Sequence, residues 1–273
     1  MTLDTVTSDG MPDIRRTVTG GVLTLTFTRP SKLNALNPAM LDEIGRAVAD
    51  MTEREDLRVL VITAEGRYFT AGHDIATLPR EPGKTTQGAS SGMKVRAYLR
   101  GHHELLDSLE KLEKLVIVAV QGPCLGLGLE MAVSCDFRFA AERASFSLPE
   151  IPNLGTIAGS GGISRLTRLI GPHWARWIAL ASKPVDAHQA LRIGLVHAVF
   201  PDEGFLDHVY AFAKDLVALP AEALALAKLA IDTAASVDRG TARDFDRVAN
   251  TILILSEKNL NTVAAYRDKA DKK

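Results

Sequence analysis

Apolar and polar positions alternate with period two between Ile14 and Thr28: Leu23, Leu25 and Phe27 interleave with Thr24, Thr26 and Thr28. That period puts each set on one face of a strand, and Gly20-Gly21 supplies the positive φ angles of a tight turn, so the segment predicts a β-hairpin. At Asn37 the period changes. Asn37 is a suitable N-cap, Pro38 suits the first helical position, and Leu41, Ile44, Val48 and Met51 come after them at helical spacing. Val59–Thr63 (VLVIT) and Val116–Val120 (VIVAV) are short unbroken apolar runs, the signature of strands buried on both faces, and Phe137–Ala140 offers a third. Val95, Leu99, His102, Leu106, Leu109 and Leu112 recur three or four residues apart and predict a helix between them. Strands alternating with helices indicate an α/β core.

Residues Ala76 to Gly92 (ATLPREPGKTTQGASSG) carry neither period and read as a mobile surface loop, long enough to serve as a lid or pocket wall. Beyond Pro201 the chain reads as almost wholly helical, with Leu216–Ala235 rich in Ala and Leu and Thr241–Ile254 amphipathic. No linker, repeat or low-complexity tract divides it. The expected organisation is a core over residues 1–200 and a helical region over 201–273.

The chain has 273 residues, of which 46% are hydrophobic and 24% charged, so it can bury a core without disulfides or structural metal. Its 32 Lys and Arg against 33 Asp and Glu leave a net charge of -1. That excludes a strong global field for nucleic acid or an anionic membrane, and neither is expected as a partner. The longest apolar runs are far short of a membrane span. Cys124 and Cys135 form neither a disulfide framework nor a C-x-x-C pair, and the first residues, MTLDTVTSDGMPD, lack the apolar stretch of a secretory signal; both point to the cytoplasm.

Several familiar chemistries lack support. Gly126-Leu127-Gly128 begins like a dinucleotide fingerprint, but Met131 stands where the third Gly or Ala belongs. Ser160 has Ala158, not Gly, two positions before it, so no nucleophile elbow is present. His102-His103-Glu104 is not a zinc motif and reads as a solvated helix face.

Three segments remain. Gly66 to Ile75 (GRYFTAGHDI) comes directly after the VLVIT run, and Gln121 to Ala132 (QGPCLGLGLEMA) directly after VIVAV. Leu148 to Gly155 (LPEIPNLG) precedes a cluster of Gly159, Gly161 and Gly162. The first two are strand-to-turn-to-helix transitions, where free backbone N–H groups can bind an anion. Glu130 is the only charge between Gln121 and Asp136. Either it faces solvent, or it is a buried carboxylate kept for acid–base work. Asp136 reads as a turn or cap, and Glu150 by itself as an ordinary loop carboxylate.

These segments, in this order and spacing from about Ile14 to Tyr266, resemble the crotonase superfamily of enoyl-CoA hydratases and isomerases. The matching stretches are RPSKLNALN, FTAGHDI, GLGLEMAVSCDFRFA and SLPEIPNLGTIAGSGGISRLTRLIG. The resemblance implies a spiral of ββα repeats with a helical C-terminal trimerisation region, assembled as a trimer or hexamer. It implies an acyl-CoA thioester as substrate and no cofactor beyond it. The N–H groups of His73 and Leu127 match an oxyanion hole, a pair of donors aimed at the thioester oxygen as it gains charge. Glu130 and Glu150 match two catalytic glutamates, Glu130 orienting and deprotonating water and Glu150 delivering the α-proton. Lys32, Leu33, Asn34, Ala71, Asp74 and Ile75 fall where the family contacts CoA, and Tyr266 and Lys269 where a neighbouring subunit approaches the nucleotide.

The activity so implied is hydration of a 2-enoyl-CoA. A Δ3,Δ2-enoyl-CoA isomerase, a hydratase-lyase, and a non-catalytic CoA- or RNA-binding relative are the alternatives. Two positions depart from the family pattern. Leu127 replaces a glycine, so its side chain needs room. His73 replaces a smaller residue and is read as a spectator side chain used for its amide, the sharper alternative being a polar contact to the substrate.

Overall fold

The computed structural model describes residues 12–77, 89–257, 259–261 and 263–264. The hairpin forms as β1 (Ile14–Thr19) and β2 (Val22–Phe27), with both turn glycines at positive φ. Helix α1 (Pro38–Glu53) starts where expected: the Asn37 side chain accepts the Met40 amide, and Met40, Ile44, Ala47, Val48 and Met51 are buried. Strand β3 (Val59–Ala64) and strand β4 (Leu115–Val120) are buried at every position, as continuous apolar runs require.

Between them lies α2 (Ala89–Lys111). Its start corrects the loop reading, because the last four residues of that segment, 89–92, are helical. Residues 78–88 of the segment lie outside the described residues.

After β4 the chain runs through β5 (Pro123–Leu125), α3 (Leu127–Ala132), β6 (Phe137–Ala141), β7 (Ser145–Ser147) and α4 (Glu150–Leu154). Next come α5 (Gly162–Ala179, kinked at Gly171-Pro172), β8 (Val185–Asp186), α6 (Ala187–Arg192) and β9 (Ala198–Phe200). Two sheets result, ordered β1-β2-β3-β4-β6-β9 and β5-β7-β8. All pairs in the larger sheet are parallel except β1 with β2. β4-β5-α3 and β6-β7-α4 are therefore successive turns of one spiral, each sending a strand to each sheet before its helix. Asp136 does act as a cap, its carboxylate accepting the Val116 amide at 2.7 Å.

Helix α7 (Phe205–Ala218) buries Phe205, Val209, Ala213 and Leu216 and sets the Phe212 ring against Phe137 and Phe139. The chain forms one compact unit through Val217 and a second from Ala218, built on α8 (Ala221–Ala234) and α9 (Arg239–Ile254). No helix among the described residues is long and apolar enough to cross a membrane.

Candidate active site

The site forms where parallel strands end together. β5 and β7 pair with Leu125 opposite Ser147, and the Gly126 amide donates to Ser147 O. Leu127, just beyond β5, and Glu150, just beyond β7, therefore emerge side by side. On the far side of β5, Thr70 bridges Cys124, and His73 bridges Leu36. Gly72 lets this layer close: it has φ +89°, and a Cβ there would stand 2.8 Å from Leu125 O and 3.4 Å from Leu127 N.

Both proposed oxyanion amides lie at this seam. In the parallel bridge to Leu36, the bonds run through the neighbours of His73: Leu36 N donates to Gly72 O, and Asp74 N donates to Leu36 O. The His73 N–H therefore points away from Leu36. Leu127 is the first residue of α3, so its N–H has no acceptor within the helix. Its side chain is buried in the core among Leu36, Ile44 and Met131, which supplies the room that a residue larger than glycine needs.

Glu130 does not face solvent. It is 3% exposed, and Oε2 accepts the amides of Ser160 and Gly162, each at 2.8 Å. A Cβ on Gly162 would stand 2.4 Å from Glu130 Cγ, so the glycine is what lets the loop wrap the carboxylate. Burial pushes the Glu130 carboxyl above its usual range; the Gly162 and Ser160 amides, then the charges of His103 and Arg165, pull it back.

Glu150 sits differently. Its Oε1 approaches Gly126 so closely that a Cβ there would be 2.8 Å away, one residue from the Leu127 amide. Its Oε2 is buried without a hydrogen-bond partner. Burial first, and the Glu130 charge after it, raise its pKa to about 7 despite its own backbone amide. The two carboxyls thus differ in kind. Glu130 is bonded by donors that favour its ionised form, while burial without such donors on Oε2 favours the protonated form of Glu150.

The His73 side chain has partners within the protein. Its Nε2 bonds the Tyr98 hydroxyl from α2, and its ring centre lies 5.4 Å from that of His102. Of the histidine pair on α2, only His103 is on a solvated face, exposed with its Nε2 bonding Gly159 O at 2.8 Å; His102 is 7% exposed and approaches Ser160. Tyr98, His102 and Ser160 were missed from sequence. The available signal was the position of His102 inside the apolar stripe of its own helix.

The candidate CoA contacts divide. Asn34 is wholly buried; its side chain takes the Arg29 amide and donates to Glu65 O and Tyr68 O, while its carbonyl takes the Thr70 hydroxyl. The polar groups of its side chain are used to fold the loop. The Asp74 carboxylate is held by Arg29 Nη1 at 2.7 Å and by the Ala76 amide, and Arg29 holds it below the usual carboxylate range. Lys32, Leu33 and Ile75 are exposed, and Ala71 is half-buried with its amide on Leu33 O. Tyr266 and Lys269 lie outside the described residues.

The chain is similar to proteins already known. A family model described as enoyl-CoA hydratase/isomerase matches residues 17–273. The chain is 33% identical over 251 residues to a short-chain-enoyl-CoA hydratase of Clostridium acetobutylicum, covering 92% of each protein. It is 33% identical over 246 residues to a crotonyl-CoA hydratase of Syntrophomonas wolfei, covering 90% of this chain and 91% of that one. Among solved structures, an enoyl-CoA hydratase from Bacillus anthracis superposes with a TM-score of 0.84 at 29% identity, over 94% of this chain and 96% of the other.

Proposed function

Because the chain belongs to the enoyl-CoA hydratase/isomerase family, we propose that it is a 2-enoyl-CoA hydratase. One observation carries this reading: two carboxyls meet at α3, Glu130 buried and bonded by two amides and Glu150 half-buried with no partner on Oε2. Hydration puts a hydroxyl on Cβ and a proton on Cα, and so needs a base and an acid at opposite ends of one double bond.

Glu130, held by two amides, orients a water and takes its proton as oxygen bonds to Cβ. The π electrons move onto the thioester oxygen, where the His73 and Leu127 amides lower the energy of the developing enolate. Collapse of the enolate takes a proton from Glu150 onto Cα, leaving Glu130 protonated and Glu150 ionised; loss of the Glu130 proton to solvent and uptake of one by Glu150 restore the starting forms. A pKa of about 7 suits a carboxyl that must give a proton at neutral pH. An isomerase moves one proton between two carbons and has work for one carboxyl, so the second counts against it.

Carboxyl proton transfer and amide hydrogen bonds suffice for these steps, and we propose no cofactor beyond the CoA of the substrate. The exposed Leu33 and Ile75 offer an apolar surface to that CoA, with the Asp74–Arg29 ion pair bracing the loops that carry them. Exposed Ile231, Val248, Ile252 and Leu255 on and just beyond α8 and α9 support assembly through the C-terminal unit as a trimer or hexamer. Two buried free cysteines support a cytoplasmic location.

The test is a panel of 2-enoyl-CoA and 3-enoyl-CoA thioesters in D₂O, tracked by product mass and deuterium position. Wild type should add one water with deuterium at Cα. Glu130→Gln and Glu150→Gln should each slow this by about 10²–10⁴ while still binding acyl-CoA. Full turnover of a 3-enoyl-CoA by Glu130→Gln, with Glu150→Gln dead, would replace hydration with isomerisation.

A further inference from the structure

His102 is a buried imidazole that this chemistry leaves unused. Its ring centre is 4.5 Å from that of Tyr98 and 5.4 Å from that of His73, and its Nδ1 lies 3.4 Å from Ser160 Oγ. A small apolar cavity lies alongside it, lined also by Leu36, Ile44, Leu106, Leu127 and Met131. These neighbours lead to all parts of the site except Glu150. His73 and Leu127 carry the two oxyanion amides, and Ser160 gives its amide to Glu130 Oε2.

We propose, resting on the hydratase reading above, that His102 is a positioning residue: through Ser160 and Tyr98 it holds the Glu130 base in register with the His73 arm of the oxyanion hole.

The loop explains why one hydroxyl matters. Between Ala158 and Ile163 the sequence is Gly-Ser-Gly-Gly, so Ser160 carries the only side chain in the stretch whose amides bind Glu130. The main chain there has anchors of its own, His103 on Gly159 O and Arg165 Nη1 on Ser160 O at 3.5 Å. The Ser160 hydroxyl is buried, and His102 is its partner. An apolar residue at 102 would strand that hydroxyl, and a stranded buried group is relieved by moving the loop.

The ring is suited to the task because it stays neutral. Burial, then the charges of His73 and His103, hold it down to about 4, so it keeps one donor and one acceptor nitrogen across the working pH range. The charged or titratable groups facing it are His73, His103 and Tyr98. Those facing Glu130 are His103, Arg165 and Glu150.

Two measurements test this. The first is kcat and KM for a 2-enoyl-CoA from pH 5 to 9. The second is the titration of Glu130 in protein labelled with ¹³C at glutamate Cδ, with Glu130→Gln assigning the signal. His102→Phe should lower kcat by about tenfold with KM within about threefold, and raise the Glu130 titration by about half to one pH unit as its amide partners drift. His102→Asn should restore most of both, because its amide puts a polar atom where Nδ1 stands. Ser160→Ala should reproduce the upward shift without altering the aromatic cluster, and it serves if His102→Phe fails to fold.

An unchanged Glu130 titration in folded His102→Phe or Ser160→Ala overturns the proposal. The titration does not depend on which reaction is catalysed. Should wild type hydrate no enoyl-CoA, the hydratase reading falls while the role of His102 is still measured.

Discussion

Gly162→Ala tests the carboxylate cradle with one methyl group. The new Cβ would stand 2.4 Å from Glu130 Cγ, 2.9 Å from its Oε2 and 3.0 Å from its Cβ. Carbon atoms pack at about 3.5–4.0 Å, so the carboxylate or the loop must yield by roughly 1 Å. Glu130 has little freedom to retreat, because every residue of α3 is buried. A shift of that size breaks at least one of the two 2.8 Å amide bonds.

The rate and its pH dependence both change. Misplacing a reacting group by about 1 Å costs about 10² in rate. A lost hydrogen bond to an ionised group is worth about 1.5–3 kcal/mol, or about one to two pH units on the acid limb of the rate profile. The sign is fixed by the chemistry: amide donors favour the ionised base, so losing one raises the pH needed to ionise it. The assay is loss of enoyl thioester absorbance, read as kcat and KM from pH 5 to 9. kcat should fall by about 10², the acid limb should move up, and KM should stay within about threefold, because the His73 and Leu127 amides are untouched. Gly159→Ala is the matched control, since its Cβ would meet Leu99 Cδ2 at an ordinary 3.6 Å. A folded Gly162→Ala enzyme with the wild-type kcat and acid limb would refute the role given to the cradle.

Three further outcomes are expected. The Glu150 carboxyl is raised to about 7 in the folded protein against about 4.3 unfolded, so its contribution to stability is fully present below about pH 4.3 and is lost as pH rises through about 7. Glu150→Gln should therefore gain in Tm over wild type at pH 8 and not at about pH 4.3, and an equal difference at both would contradict it. Leu127→Pro should abolish turnover yet leave a folded helix, because proline is tolerated at the first helical position and removes only the N–H, whereas Leu127→Ala makes a similar cavity, keeps the N–H and should keep activity. Light scattering at micromolar concentration should find a trimer or hexamer, and a stable active monomer would rule out assembly through the exposed α8 and α9 residues.

The sequence carried most of the framework because its signals are local. The hairpin needs only a period of two and Gly20-Gly21, and α1 needs only Asn37, Pro38 and one apolar stripe. Strands β5, β7, β8 and β9, at two or three residues each, are too short for any period to show; β5, β7 and β8 pair with one another, and β9 forms on the edge of β6. The start of α2 was hidden because Ala89-Ser90-Ser91-Gly92 has loop composition, and helix propensity gives way to packing further along the same helix.

Glu130 could be singled out by itself, as a lone charge in an apolar stretch, and the family resemblance supplied Glu150 and the two amides. Sequence alone left open whether the carboxylates meet, whether His73 is idle and whether Asn34 reaches a ligand. Each of those depends on distance between residues far apart in the chain. Pairing Leu125 with Ser147 is what brings Glu150 beside α3. The same chain closure turns His102 inward onto Ser160 and commits all of Asn34 to the loops around it. The residue types were set by the sequence, and their burial, partners and protonation by the parallel strands that end together beneath them.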